Sequence, residues 1–274
     1  RVLVWTKKVP VFFVNGRGFL GEPYAKDYNR TPVVLQEGIN RILLKFAGKQ
    51  DRSFTFKMVP VEELAIILDD FTLPDLNTDA LLEEYLLGVA IANASETWLS
   101  DLRVVTPETS LLTGSTTPLR PIAPTSVVKV PIRLISKSEA SSVLDTGTHQ
   151  LHVTLMSSDQ ELASKTVGLK IKAGGEPHKV TFLSEMDRSA QYYSVLYPAN
   201  YDPKRKYAVI FSLHGAGVEA ECLSNQYSSK DWAFMIFPTN RRPFGFDWQD
   251  WGRRDFLEVM EQVKQRHNVD QDRF

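Results

Sequence analysis

The sequence predicts a mixed fold, in which two β-sandwich domains are followed by the first part of an α/β domain. Its 274 residues suit about two domains, or three small ones. Residues 176–274 hold 17 of the 29 aromatic side chains and residues 61–175 hold only three, a shift that indicates separate cores. Continuous apolar runs also replace alternating ones after the Gly- and Pro-containing stretch 173–177. We therefore predict domains at residues 1–60, 61–175 and 176–274.

The charge balance and composition exclude several classes of protein. Lys and Arg number 32 against 33 Asp and Glu, which argues against a nucleic-acid partner. No apolar run approaches the ~18 residues of a membrane span. Cys222 is the single cysteine, which excludes an internal disulfide, and we expect it to be a small buried residue. His149 and His152 fall on opposite faces of a predicted strand, so this pair predicts no metal site.

The first sixty residues are predicted to be β-structure. A β-rich run at residues 9–14 ends at the turn pair Asn15-Gly16. Two further apolar runs lie on either side of a polar turn at residues 36–38. This pattern of short runs and turn residues is typical of an antiparallel sandwich.

This segment also resembles a known family. The matching passages lie at residues 34–35, 37–40 and 43–45. The resemblance is to the second half of a galactose-binding-like jelly roll, and it implies a partial sandwich that could bind carbohydrate. Three aromatic residues are candidate carbohydrate contacts: Phe19, Tyr24 and Tyr28.

The middle segment is predicted to be an immunoglobulin-like sandwich that acts as a spacer. Its candidate strands, separated by turn residues, lie at residues 64–71, 85–92, 127–134, 150–156 and 161–171. Four prolines predict loops or edge strands rather than central strands, because proline cannot donate a ladder hydrogen bond: Pro118, Pro121, Pro124 and Pro131. No residue pattern in this segment indicates catalysis.

The last segment shows the alternation of strands and helices that is typical of an α/β fold. Two strands joined by a polar turn are predicted at residues 179–183 and 191–197. Continuous apolar runs at residues 207–213 and 232–238 then predict parallel strands buried on both faces, with room for a crossover helix. A helix is predicted at residues 252–267, where apolar side chains recur at helical spacing.

The same spacing predicts which helix residues face the core. The inward set is Phe256, Leu257, Met260, Val263 and Lys264. Glu258 is expected to face solvent. His178 and His267 are expected to be surface residues.

The chemistry is predicted at residues 214–217, His-Gly-Ala-Gly, which follow the first continuous apolar run. Ester or amide cleavage passes through an oxyanion, which backbone N–H groups stabilise when no side chain blocks them. Glycine permits both the backbone angles and the close approach. Taken alone, however, such a segment is more often a plain strand-to-loop glycine bend.

The order of the surrounding parts resembles the α/β-hydrolases, and within them the secreted esterases and prolyl-oligopeptidase-like peptidases. Besides the turn and the helix, the matching parts are residues 237–238, 247–255 and 270–273. The resemblance covers about the last hundred residues and implies the first third of an α/β-hydrolase sheet. In this family the Gly-x-Ser-x-Gly nucleophile elbow follows the last of these parts. That motif is missing from the sequence, so we expect an N-terminal fragment that is inactive alone.

The resemblance implies a secreted or periplasmic serine hydrolase that cleaves ester or peptide bonds through an acyl-serine intermediate. Its partner would be a small ester or peptide substrate, including one linked to carbohydrate, with no cofactor and no metal. Backbone N–H groups of Gly215, Ala216 or Gly217 would supply one oxyanion donor. His214 would give structural support to the turn rather than act as the base.

Two further residues are candidates for substrate binding. The Trp248 ring could form a wall of the pocket, and Arg241 could bind an acidic group. The alternative is that both residues only pack or pair within the protein.

Two other functions stay open. The chain could be a non-catalytic carbohydrate-binding or scaffold protein with a degenerate α/β domain. A dinucleotide-binding domain is weaker, because residues 214–217 lack the third glycine of that fingerprint.

Overall fold

The computed structural model shows a β-rich mixed fold with several sheets, as the sequence predicts. The individual domain assignments stay predictions. The described residues are 1–24, 26, 29–46, 53–61, 65–138, 144–215, 217–241 and 247–274. Within this part of the chain, no helix is long and apolar enough to cross a membrane.

The first segment contains six described strands in two antiparallel sheets of three. The strands are Val2–Lys7 (β1), Val9–Val14 (β2), Arg17–Glu22 (β3), Thr31–Val33 (β4), Ile42–Lys45 (β5) and Thr55–Pro60 (β6). The sheet orders are β4-β1-β6 and β3-β2-β5. Buried side chains of both sheets, including Val4 and Phe12, form one apolar cluster. The runs on either side of residues 36–38 become β4 and β5, which lie in different sheets.

The middle segment contains eight described strands. They are Ala65–Ile67 (β7), Leu76–Asn77 (β8), Glu84–Asn93 (β9), Leu102–Thr106 (β10), Ser115–Pro118 (β11), Ser126–Ile135 (β12), Gly147–Ser157 (β13) and Gln160–Lys172 (β14). They form the sheets β11-β10-β13-β14-β8 and β12-β9-β7. Apolar side chains of both sheets, among them Leu87 and Leu151, share one core.

Two of the four prolines named above lie in edge strands, as the sequence predicts. Pro118 ends β11 and Pro131 lies within β12, and both strands are at the edge of their sheets. An edge strand tolerates proline because one side of its backbone has no ladder partner. The sequence missed β8, β10 and β11, which span only two to five residues each.

The last segment builds one four-stranded sheet. Its elements are His178–Leu183 (β15), Ala190–Leu196 (β16), Ala208–Phe211 (β17), Ala220–Ser224 (α1), Ala233–Pro238 (β18) and Asp250–Arg266 (α2). The sheet order is β15-β16-β18-β17, with β15 and β16 as an antiparallel hairpin. The expected parallel pair is present, since β17 runs parallel to β18 and α1 lies in the crossover between them.

Helix α2 agrees with the predicted span but only in part with the predicted inward face, of which Val263 is buried. Its buried residues are Gly252, Asp255, Val259 and Val263. Leu257, predicted to face the core, is 39% exposed. Glu258, predicted to face solvent, is half-buried and accepts hydrogen bonds from Ser184 Oγ and the Glu185 N–H. Polar groups of the β15–β16 turn thus pack against the face of α2 that carries Glu258. The spacing of apolar residues does not predict burial of a charged side chain on that face.

The prediction of surface positions for His178 and His267 is wrong, because both side chains are buried. The Asn77 side chain, at the end of β8, lies 3.1 Å from His178 Nδ1 and joins the middle segment to the last one. His267 Nε2 lies 2.9 Å from the Tyr193 hydroxyl, and the Tyr197 ring packs against both imidazoles. The two histidines therefore belong to the interior, where hydrogen bonds satisfy them.

Candidate functional site

The candidate site lies where β17 ends and the chain leaves the sheet. The Ser212 N–H still donates to the carbonyl of Ile236 in β18 at 2.9 Å, and residues 214–217 follow. Because β17 and β18 are parallel, this turn lies at the carboxyl edge of the sheet, beside the end of β18. Ligand sites of open α/β sheets lie outside this edge.

Two glycines shape the turn. Gly215 is exposed, and its carbonyl accepts a hydrogen bond from the Val218 N–H at 3.2 Å. Apart from its chain neighbours, no described heavy atom lies within 4 Å of the position that a Gly215 Cβ would take. Gly217 has a φ of +72°, in the left-handed region that favours glycine. Ala216, the third predicted oxyanion residue, lies outside the described residues.

His214 is half-exposed as a residue, but part of its ring is enclosed. Its Nδ1 lies 3.0 Å from the Gly215 carbonyl oxygen. Because a carbonyl only accepts, Nδ1 carries the proton in this contact. Nε2 is buried and has no hydrogen-bond partner among the described residues. The ring therefore contacts the turn through Nδ1, while Nε2 is left without a partner among the described residues; its structural role stays a prediction.

Trp248 and His214 come together, although 34 positions separate them. Trp248 Nε1 donates to the His214 carbonyl oxygen at 3.0 Å, and the two rings make an edge-on contact at 5.2 Å. Asp247, Trp248 and Asp250 have φ values of +51°, +56° and +43°, which non-glycine residues adopt at a cost. The strained loop thus holds the indole against the turn.

Arg241 follows β18 and is turned inward, with an exposure of 2%. It forms an ion pair with Asp187 and lies 3.7 Å from a Glu258 carboxylate oxygen. Its Nη1 donates to Ser184 Oγ at 2.9 Å and its Nη2 to Ser189 Oγ at 3.3 Å. These contacts match the alternative in which the guanidinium pairs within the protein, and its binding of substrate stays a prediction.

A buried carboxyl group lies beside this cluster. Burial raises the pKa of Asp255 to about 6, against the lowering effects of the Arg241 backbone N–H and guanidinium. Thr239 Oγ1 donates to Asp255 Oδ2 at 3.4 Å, while Oδ1 has no partner among the described residues. The second turn of α2 therefore carries a costly buried carboxyl group next to the end of β18.

The prediction of a buried Cys222 is wrong, because its thiol is exposed. It lines an open cavity of about 190 Å³ between α1 and the middle segment, together with Lys179, Tyr192 and Glu221. Across the part of the chain that the structure describes, no three His, Cys, Asp or Glu side chains are grouped as metal ligands.

The three aromatic candidates of the first segment have separate surroundings. Phe19 stacks on Phe12 with 5.2 Å between ring centres. Tyr24 lies against the turn, since its ring comes within 3.5 Å of the position that a Gly217 Cβ would take. Tyr28 is outside the described residues. No local pattern in the sequence places Tyr24 near the turn, because the two segments are far apart along the chain.

Comparisons with known proteins give no family assignment. No family model matches the sequence, and no curated protein matches it. A CE1 ferulic acid esterase from Anaeromyces mucronatus, solved with ferulic acid, is 15% identical with a TM-score of 0.29 and covers 34% of this chain. The match spans 43% of that enzyme, less than half of its length. A thermostable esterase is 13% identical with a TM-score of 0.28, covering 78% of this chain and 69% of its own. TM-scores at this level do not establish a shared fold.

Proposed function

We propose that this chain is part of a serine hydrolase that cleaves ester or peptide bonds through an acyl-serine intermediate. The observation that carries the proposal is the glycine-containing turn at the carboxyl end of β17, with exposed Gly215 and left-handed Gly217. We assign one oxyanion donor to the backbone N–H groups of Gly215, Ala216 or Gly217. Loss of one such donor typically costs about 3 to 4 kcal/mol of transition-state stabilisation.

Two contacts that hold the turn in place support this assignment. An oxyanion donor acts only when it is held at the position where negative charge develops. The His214 ring contacts the Gly215 carbonyl, and the Trp248 indole holds the His214 carbonyl. These two contacts fix the peptide groups on the N-terminal side of the donors.

The remaining catalytic groups are assigned to sequence outside these 274 residues. The sequence has no Gly-x-Ser-x-Gly motif, so the serine, the acid and the base would come from elsewhere in a longer protein. The substrate class is a small ester or peptide, including one linked to carbohydrate. Secretion or a periplasmic location is part of the same proposal, as is the absence of a cofactor.

The test compares the 274-residue chain with a longer form that includes the proposed nucleophile. We expect the longer form to hydrolyse a short p-nitrophenyl ester and to react with a fluorophosphonate probe. The 274-residue chain alone should do neither above a heat-denatured control. Inhibitor-sensitive turnover by the short chain, or no labelling of the longer form, would refute the proposal.

A matched pair of glycine variants tests the turn itself in the longer form. Gly217 and Gly38 have similar left-handed φ values of +72° and +81°, so alanine imposes comparable strain at both sites. Gly217→Ala should lower kcat on the order of tenfold or more, because the donors move. Gly38→Ala lies in a surface turn of the first segment and should leave kcat unchanged. Equal effects of the two variants would argue against an oxyanion role.

A further inference from the structure

The turn after β17 is contacted by the first segment of the chain as well as by the last one. Tyr24 lies two residues after β3, and its ring faces Gly217. Ring carbons of Tyr24 come within 3.5 Å of the position that a Gly217 Cβ would take, which is an ordinary contact distance. The phenol ring therefore lies directly beside the turn, with no side chain between them.

Hydrogen bonds fix the main chain that carries this ring. The buried Glu22 carboxylate accepts from the Tyr24 N–H at 2.6 Å and from the Lys26 N–H at 2.9 Å. The Lys8 N–H donates to the Tyr24 carbonyl at 2.9 Å. Bonds to an ionised carboxylate are stronger than those between neutral groups. The ring is thus held against the turn before any ligand arrives, which lowers the cost of binding.

Two aromatic rings lie at the two ends of the turn. Trp248 contacts it at His214, and Tyr24 contacts it at Gly217. Gly215 lies between these ends and is exposed. Tyr24 is itself 38% exposed, so part of its ring is open to a ligand. A substrate carbonyl held by the N–H groups of the turn lies within reach of this ring through the groups bonded to its carbon.

We propose that Tyr24 determines substrate specificity at this site, because its ring contacts an apolar group bonded to the substrate carbonyl. This inference rests on the hydrolase function proposed above. The apolar group is the acyl chain or the alcohol part of the ester, and the same ring face suits both. Tyrosine offers a large apolar surface that is ordered at little entropy cost. Glu22 is the positioning residue, since its carboxylate holds the main chain of Tyr24.

The contact is tested first in the 274-residue chain, where no hydrolysis is needed. An aromatic ring displaces the NMR resonances of nearby nuclei, so Tyr24→Ala should move the Gly217 amide resonance and Tyr24→Phe should not. Phe54→Ala is the matched control, because Phe54 is a 49% exposed aromatic residue of the same segment that packs on Phe46. A Gly217 resonance that stays in place, or moves equally in both alanine variants, would overturn the proposal.

The longer form that includes the nucleophile then tests specificity with two pairs of esters. The acyl pair is p-nitrophenyl hexanoate and p-nitrophenyl acetate, and the alcohol pair is hexyl acetate and ethyl acetate. In one of the two pairs, Tyr24→Ala should lower the ratio of kcat/KM for the long ester to that for the short ester on the order of tenfold, mainly through KM. Tyr24→Phe should retain the native ratio, and Phe54→Ala should leave both ratios unchanged. Glu22→Gln should lower the same ratio in part, because an amide has only one oxygen for the two N–H groups.

The outcomes separate this inference from the function on which it rests. The pair whose ratio falls identifies the group that Tyr24 contacts. Turnover with unchanged ratios in both pairs overturns the role of Tyr24 and leaves the hydrolase function standing. Absence of turnover of every ester by the native longer form refutes the hydrolase function and this role with it. Circular dichroism of each variant checks that the fold is intact.

Discussion

The ends of β17 and β18 lie side by side in one sheet, yet they are built in opposite ways. At the end of β17, Gly215 is exposed and His214 Nε2 has no partner among the described residues. At the end of β18, Arg241 is almost fully buried between the carboxylates of Asp187 and Glu258. One strand end thus presents backbone to solvent, and the other uses its polar groups internally.

This difference shows how polar groups divide between stability and function. A buried arginine whose donors meet carboxylates and hydroxyls fixes the β15–β16 turn to α2, and it has little left to offer a ligand. An exposed glycine turn contributes little packing, but its N–H groups remain available. Two neighbouring strand ends at the same edge of a sheet can therefore differ, one being a rigid support and the other an exposed candidate site.

The largest expected effect comes from removing the buried arginine at the end of β18. Arg241→Met keeps the length of the side chain but leaves the Asp187 and Glu258 carboxylates without their shared cation. Asp187 is 44% exposed and keeps solvent, but Glu258 is 16% exposed and the Ser184 and Ser189 hydroxyls also lose their donor. Together these losses lead us to expect a decrease of about 3 kcal/mol in the free energy of unfolding. Urea unfolding at pH 7, followed by circular dichroism, measures it.

Arg188→Met is the matched control in the same turn. Arg188 contacts Glu185 at 3.4 Å, but the side chains of both residues are more than half exposed. Exposed pairs contribute about 1 kcal/mol or less. If Arg241→Met costs no more than Arg188→Met, the end of β18 is not the rigid support that the comparison requires.

The buried histidines give the next largest effect, through pH. Burial lowers the pKa of His178 to about 4 and that of His267 to about 3. The unfolded chain, with an ordinary histidine pKa of about 6.5, then binds protons that the folded chain does not. Each histidine therefore leaves the free energy of unfolding undiminished above pH 6.5. As the pH drops, protonation of the unfolded chain lowers this free energy by about 2 kcal/mol for each histidine at pH 5.

His267→Gln separates this contribution from the others. Glutamine retains a polar partner for the Tyr193 hydroxyl but does not titrate. Asp255 acts with the opposite sign, because its pKa of about 6 exceeds the unfolded value and adds about 1 kcal/mol of stability at pH 5. Between pH 7 and pH 5, the free energy of unfolding of the variant should fall by about 2 kcal/mol less than that of the native chain. Parallel losses in both proteins would contradict burial of a neutral His267.

Much of the β-rich architecture could be predicted, because it depends on local patterns. Continuous apolar runs predicted the parallel pair β17 and β18. The Gly- and Pro-containing stretch 173–177 and the prolines indicated where strands end or lie at edges. Burial of single polar residues depends instead on partners far along the chain. His178 meets Asn77 across 101 positions, and His267 meets Tyr193 across 74. No periodicity in the sequence carries such pairings.

The candidate site shows the same limit. The sequence nominated His214, Trp248 and Arg241 by residue type, and the structure brings the first two into contact. It could not indicate that Arg241 turns toward Ser184, 57 positions away, or that Cys222 faces solvent. Residue type indicates what a side chain can do, whereas its direction follows from the packing of the whole sheet.

The smallest expected effect on stability concerns the exposed turn at the end of β17. Trp248→Phe keeps an aromatic ring but removes the Nε1–H that donates to the His214 carbonyl. A neutral hydrogen bond contributes about 1 kcal/mol, so global stability should change by no more than that. Hydrogen exchange of the Gly215 and Gly217 amides should nevertheless accelerate, because the turn loses a contact that holds it. Trp232→Phe changes a 47% exposed residue whose indole N–H makes no hydrogen bond to a described residue, and it should leave this exchange unchanged. Unchanged exchange in both variants would mean that the turn is held by the sheet alone, and the contrast between the two strand ends would then be one of exposure rather than of support.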